Sequence, residues 1–295
     1  MSVIEIDQLS KDYGGQRGIF DITLSVAKGE VFGFLGPNGA GKSTTIRHLM
    51  GFIHVDKGSC QIGGLDCMTD RAKIQTKLGY LPGEIAFMDD MTGLEFIKFM
   101  AKMRGMTDLS KAHELMELFE LNAHGKIKKM SKGMKQKVGI VCAFMHDPDI
   151  LILDEPSSGL DPLMQNRFIE LLLTEKEKGK TIFMSSHIFE EIERTCDRCA
   201  MIKDGRLIAI EDMQTLKASK QKTYLITFAN EQLTARFLTE NFESQLVSKT
   251  QVNVSIKGDL NHLLQVISKY NVSDLDVKTP TLEELFLHFY GGKQL

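Results

Sequence analysis

The sequence predicts an α/β protein built on a largely parallel sheet, with a small antiparallel β subdomain, a helical insertion, and a separate α+β unit toward the C-terminal end. Three observations carry that prediction. The apolar run at 31–35 leads through a glycine-rich turn into helix-forming residues at 45–50, a strand–turn–helix unit. Two more aliphatic runs, at 150–153 and 181–184, are too short for helices and read as buried parallel strands. From about 222 onward the pattern becomes strand, helix, strand, strand, helix, strand, the order of a ferredoxin-like unit.

Taken in chain order, residues 3–9 alternate apolar and polar as a half-buried strand, Tyr13, Gly14 and Gly15 turn, and residues 19–26 alternate again. This is an antiparallel pair ahead of the 31–35 strand, which is entered through Lys28 and Gly29. Residues 58–64 give a further strand and turn, and 78–84 a short strand broken at Pro82. Between Thr92 and Leu121 apolar residues recur at helical spacing, with Thr92 and Asp108 offering caps, so the helical insertion spans about 84–145. In the last third, strands are expected at 223–228, 245–248, 252–256 and 273–278, helices at 232–241 and 260–270, and an amphipathic helix at 280–290. The domain division expected is 1–218 and 219–295.

Composition bounds the function. Of 295 residues 42% are hydrophobic and 25% charged, ordinary for a folded globular chain. A net charge of −3 gives no bulk attraction to nucleic acid or to an anionic membrane. No apolar run approaches the roughly 18 residues that span a bilayer, and Glu5 and Asp7 interrupt the start where a signal peptide needs an apolar stretch, so a cytosolic chain is expected. Five cysteines without a secretory signal are expected to be reduced thiols. Cys196 and Cys199 have the spacing of a metal-ligand pair and equally that of packing at a helix end, with no second pair nearby in the sequence.

The chemistry is concentrated in five places. Residues 36–44 read Gly36, Pro37, Asn38, Gly39, Ala40, Gly41, Lys42, Ser43, Thr44, the G-x-x-x-x-G-K-S spacing of a phosphate-binding loop. Backbone N–H groups there curl around an anion at the positive end of a helix, Lys42 reaches the outer phosphates, and Ser43 completes a Mg²⁺ site. The chain therefore binds a nucleoside triphosphate, and its core is of the P-loop NTPase type. The strand at 150–153 ends in Asp154 and Glu155, two carboxylates that together call for a cation; Asp154 suits Mg²⁺ and Glu155 suits the attacking water. The strand at 181–186 ends in His187, which parallel geometry brings to the same crevice, toward the γ-phosphate. Lysines at 126, 128, 129, 132, 135 and 137 read as a nucleic-acid patch or as a solvated face, while Ser131 and Gly133 at a helix start make a second anion site. Tyr13, in a strand-end turn, reads both as a base-stacking ring and as packing.

With these motifs in place, residues 3 to 215 resemble the ATP-binding subunit of ABC transporters. The resemblance implies ATP and Mg²⁺ as ligands, ATP hydrolysis, and a separate membrane permease as partner. It makes 36–44 the Walker A loop, 150–154 Walker B, Glu155 the catalytic glutamate, 157–161 with Asp161 the D-loop, His187 the switch histidine and Tyr13 the adenine-stacking ring. Residues 130–134 resemble the signature motif, which in this family binds the γ-phosphate of ATP held by the opposite subunit; Lys132 and Met134 depart from its usual glycine and glutamine, although Lys135 and Gln136 follow as in the drug-exporter, ABC-2-like branch. Gly83 stands where the family has its Q-loop glutamine, which leaves Glu84 as the substitute Mg²⁺ ligand. The C-terminal part resembles the appendage of bacitracin-resistance-type ATPases. What is implied is an exporter subunit at the cytoplasmic side of the cell membrane, acting as a homodimer or paired with a related cassette, with no nucleic acid involved. The other reading is an ATPase of the same fold acting on ribosomes or nucleic acid, for which only the lysine run speaks; a nucleotide-binding regulator without turnover is argued against by Glu155 and His187.

Overall fold

The computed structural model of the protein describes residues 1–219, 222–256 and 260–278. It divides into two compact units, Met1–Met213 and Gln214–Leu295. In the first, β1 (Ser2–Asp12) pairs antiparallel with β2 (Gly18–Ala27), and the alternating residues Ile4, Ile6, Ile22, Leu24 and Val26 are buried on one face. After β3 (Val31–Leu35) and α1 (Lys42–Leu49), β4 (Lys57–Ile62) and β5 (Leu65–Asp66) complete a four-stranded antiparallel sheet in the order β2-β1-β4-β5.

The chain continues through α2 (Arg71–Lys77) and β6 (Leu78–Leu81) into three helices, α3 (Gly93–Met103), α4 (Ser110–Leu118) and α5 (Lys132–Phe144). There follow β7 (Ile150–Asp154), α6 (Pro162–Glu177), β8 (Thr181–Ser186), α7 (Phe189–Thr195), β9 (Arg198–Lys203) and β10 (Arg206–Asp212). Six strands form one sheet in the order β10-β9-β3-β8-β7-β6, parallel except for β10. Every residue of β3 and β8 is buried, so these strands show no alternation, as expected where both faces of a sheet are covered. Parallel register sets Leu35 opposite Ser186 and Asp154 opposite Ser185, which gathers the loops after β3, β7 and β8 at one edge.

Within the insertion, α3 opens on a capping box between Thr92 and Glu95. Asp108 lies one residue outside the cap position of α4 but still accepts hydrogen bonds from the Ser110 N–H (2.9 Å) and hydroxyl (2.6 Å). Two contacts tie α4 to α6. Lys111 lies 3.7 Å from the buried Glu175, and Arg167 donates to Leu118 O at 2.5 Å and to Glu120 at 2.7 Å. Glu175 also pairs with Lys178 and Lys180, so its burial is compensated by three cations. All five cysteines are free and buried; Cys196 closes the end of α7 and Cys199 lies inside β9.

From α8 (Met213–Ser219) the second unit runs through β11 (Lys222–Phe228), α9 (Glu231–Phe237), β12 (Glu243–Ser248), β13 (Gln251–Ile256), α10 (Leu260–Ile267) and β14 (Val272–Lys278). Its sheet has the order β12-β13-β11-β14 with every pairing antiparallel. Both helices are shorter than the apolar spacing suggests, ending at Phe237 and Ile267 rather than at Asn241 and Tyr270. The chain turns at those points so that Phe237, Phe242 and Tyr270 gather with Phe228 in one ring cluster. The expected helix at 280–290 lies outside the described residues. Among the described residues no helix is long and apolar enough to cross a membrane.

Candidate active site

The loop after β3 is built to expose backbone donors. Gly39 and Gly41 both adopt positive φ, 81° and 109°, so the chain curls before α1 begins. Gly41 is the N-cap and supplies no side chain to bond the first-turn N–H groups of α1, which also lacks an acidic residue there. That end of the helix therefore presents unpaired donors and a positive dipole. The Lys42 side chain is buried and folds back over the loop. Its ammonium donates to Gly36 O at 2.7 Å and Pro37 O at 3.1 Å, and stands 3.1 Å from Glu155 Oε1.

The second wall is the end of β7. Asp154 is buried, and its Oδ1 accepts a hydrogen bond from the Ser185 hydroxyl at 2.5 Å. Gly83 lies over the other oxygen: a Cβ at position 83 would stand 3.1 Å from Asp154 Oδ2. Glu155 has a positive φ of 47°, unusual for a residue with a side chain, and its N–H is fixed by Ser185 O and Oγ at 3.2 and 3.0 Å. This turn sets its carboxylate between two nitrogen groups: Oε1 faces the Lys42 ammonium and Oε2 stands 3.4 Å from His187 Nδ1.

A cleft of about 1320 Å³ joins these walls. Of the residues singled out in the sequence it is lined by Tyr13, Asn38, Gly39, Gly41, Lys42, Ser43, Thr44, Pro82, Gly83, Glu84, Lys132, Asp154 and Glu155. The exposed Tyr13 ring stands at its rim beside Gln16 and Arg17, with the Lys11 ammonium 5.9 Å from the ring centre. At the far end the lining becomes apolar, with Phe52, Tyr80, Ile85, Phe96 and Met100. Burial and the nearby Asp154 push the Tyr80 hydroxyl up to about 12, so it stays neutral. The donors of Ser43, Asp154 and Glu84 are all oxygens and one carboxylate is buried at the cleft floor, a set that fits Mg²⁺.

Other singled-out residues sit elsewhere. Gly36 and Ala40 are buried in the body of the loop, and Pro37 is on its exposed crest. Ser131 caps α5 by accepting from the Met134 N–H at 3.2 Å, and a Cβ on Gly133 would stand 2.6 Å from Gly159 O. Asp161 caps α6 through the Met164 N–H at 3.0 Å. Neither Ser131, Gly133 nor Asp161 lines the cleft of its own chain. The lysine run is partly engaged: Lys128 pairs with Asp90 at 3.0 Å and Lys132 donates to Ser158 Oγ at 2.9 Å.

Sequence reasoning passed over Ser185, which positions both carboxylate residues, and gave no contact to Gln136, a buried amide that donates to Pro156 O at 2.8 Å. The signal for the first was two hydroxyls, Ser185 and Ser186, ending an otherwise apolar strand; for the second, an amide on the inward face of α5.

A phosphate-ready helix terminus beside paired strand-end carboxylates and a histidine defines a P-loop nucleotide hydrolase, and known proteins narrow it further. The family model described as ABC transporter matches residues 19–158. The linearmycin resistance ATP-binding protein of Bacillus subtilis is 35% identical over 98% of both chains. The bacitracin transport ATP-binding protein of Bacillus licheniformis is 31% identical over 99% of this chain and 98% of its own. A solved ATP-binding subunit of an ABC transporter superposes with a TM-score of 0.66 at 32% identity, over 74% of this chain and 92% of its own. The chain belongs to the ABC transporter ATP-binding family and is an ATPase of that class.

Proposed function

We propose that this chain binds ATP with Mg²⁺ in the cleft between the 36–44 loop and the end of β7, and that its hydrolysis drives a separate membrane permease exporting a drug, peptide or lipid-like molecule. The observation that carries the catalytic part is the Glu155 carboxylate, set by a positive φ between Lys42 at 3.1 Å and His187 at 3.4 Å. Lys42 and the first-turn N–H groups of α1 hold the phosphates, and Tyr13 stacks on the base at the rim. Ser43 and Asp154 hold Mg²⁺, with Glu84 in the place of the family's glutamine; the ion supplies charge neutralisation at the phosphates. Glu155 orients and deprotonates the attacking water, and His187 contacts the γ-phosphate. Ser131 and Gly133 reach ATP held by a second cassette, with Asp161 in the loop between the two.

The export reading draws on the linearmycin and bacitracin relatives, which match along nearly their whole length. The apolar lining of the cleft, from Phe52 to Met100, is the surface offered to the permease, with the chain working at the cytoplasmic side of the cell membrane. Nucleic acid is disfavoured because Lys128 and Lys132 of the lysine run already have partners. The test is Glu155→Gln in the full chain: ATP binding by calorimetry is retained and turnover is lost. Loss of binding, or normal turnover, refutes the assignment. Pull-down from membranes with a tagged Glu155→Gln chain and ATP identifies the permease, and recovery of ribosomes instead overturns the transport reading.

A further inference from the structure

A buried acid lies beneath the two segments that carry Glu155 and His187. Glu191, in α7, is 4% exposed, yet it belongs to none of the motifs discussed so far. The Ser186 hydroxyl donates to its Oε2 at 2.6 Å, and the same hydroxyl accepts the Ile188 N–H at 3.0 Å. Those two bonds bracket His187 on both sides. Ser157, also buried, follows Glu155 by two residues and borders the same small cavity as Glu191. Glu191 is thus hydrogen-bonded to the end of β8 and adjoins the segment after β7.

Its environment is not one that an incidental acid would occupy. Burial pushes its dissociation upward, against the opposing pull of the Ser186 and Ser157 hydroxyls and of His187. Oε1 has no hydrogen-bond partner among the described residues. A polar oxygen left in that condition is destabilising by itself. A cavity of about 160 Å³ borders Glu191 together with Ser157, Gln165 and Ile188, giving this region space in which to shift.

We propose that Glu191 is a positioning residue for hydrolysis: by fixing the Ser186 hydroxyl, which also takes the Ile188 N–H, it holds the phosphate-contacting His187 in a fixed relation to the water-orienting Glu155. The 3.4 Å contact between Glu155 Oε2 and His187 Nδ1 is the surface expression of that link. Glu191 touches neither nucleotide nor ion, so its removal leaves binding intact and misplaces the reacting groups.

The inference rests on the roles given to Glu155 and His187 above, and one set of full-chain variants separates the two. MgATP turnover and the affinity for a fluorescent ATP analogue are measured for Glu191→Ala, Glu191→Gln, Ser186→Ala and the Glu191→Ala/Ser186→Ala double variant. Glu191→Ala is expected to lower kcat by about 10- to 100-fold, the scale of a misplaced catalytic group, with KM and analogue affinity within about twofold. Glu191→Gln keeps an oxygen acceptor for Ser186 and is expected to restore most of the rate. The double variant is no slower than Glu191→Ala, because both changes cut one connection. Unchanged kcat in Glu191→Ala, a failure of Gln to restore it, or additive losses in the double variant overturn the inference. Should Glu191→Ala not fold, Ser186→Ala, which buries no new charge, carries the test: normal kcat overturns it. Normal turnover in Glu155→Gln would instead remove the reading on which it rests.

Discussion

The Lys42 ammonium already has three oxygen partners, Gly36 O, Pro37 O and Glu155 Oε1. A phosphate reaching Lys42 has to compete with the Glu155 carboxylate, and the two anions repel one another. Glu155→Gln is therefore expected to bind ATP several-fold more tightly than the unaltered chain, while Lys42→Ala loses about tenfold or more, as removal of a charge-assisted contact does. Calorimetry on both reads the effect, and weaker binding by Glu155→Gln would show that the ion pair does not compete. Glu84 gives a second test at this scale. As a Mg²⁺ ligand, its loss in Glu84→Ala raises the Mg²⁺ concentration at half-maximal turnover; an unchanged Mg²⁺ titration removes it from the site. A side chain at Gly83 is crowded by Asp154, so Gly83→Gln is expected to lower turnover rather than restore a family contact. The loop, the two carboxylates and His187 were legible in the sequence because each follows an apolar strand at fixed spacing. The Glu155 pairing with Lys42 and the anchoring by Ser185 were not, because they depend on register between strands separated by a helix.

Among the elements, the join between α5 and β7 holds a histidine whose titration is readable from outside. His146 lies against Leu78 O at 3.2 Å, and burial, reinforced by Arg104, pushes it down to about 4. The unfolded chain takes up the proton near the ordinary value of 6.5, before the folded chain does. Between those pH values the unfolded state binds more protons, so stability falls as pH drops from about 6.5 to about 4 and is fully present above that window. The contribution is at most about 3 kcal/mol. Denaturant melts of His146→Gln across this range are expected to show a shallower decline than the unaltered chain; parallel declines would show that other groups dominate. Period-two and helical spacing placed most strands and helices in the sequence. They misjudged where α9 and α10 stop, because Phe237 and Tyr270 continue the apolar spacing yet belong to the ring cluster that ends each helix.

For the whole molecule, Ser131 and Gly133 lie outside the cleft of their own chain, which makes the pairing of two cassettes the natural way for them to meet a phosphate. Light scattering of Glu155→Gln is expected to show an ATP-dependent dimer that Ser131→Arg abolishes, and a normal dimer in that variant refutes the arrangement. The expectation that chains pair comes from the family resemblance, since a surface that meets another molecule carries no periodicity of its own. The tie between α4 and α6 has a mechanical meaning at this scale. α6 is a rod of 16 residues, about 24 Å long at 1.5 Å per residue, pinned to the insertion by Arg167 and Glu175 and capped at its other end by Asp161. A partner docked on the insertion would have, in that helix, a direct route to the segment running from Glu155 to Asp161 that does not pass through the sheet. Arg167→Ala would slacken the lever, leaving the ATPase running at its own pace while a permease pulls on it to no effect; rates measured with and without the permease, equal in the variant and different in the unaltered chain, would reveal the slack.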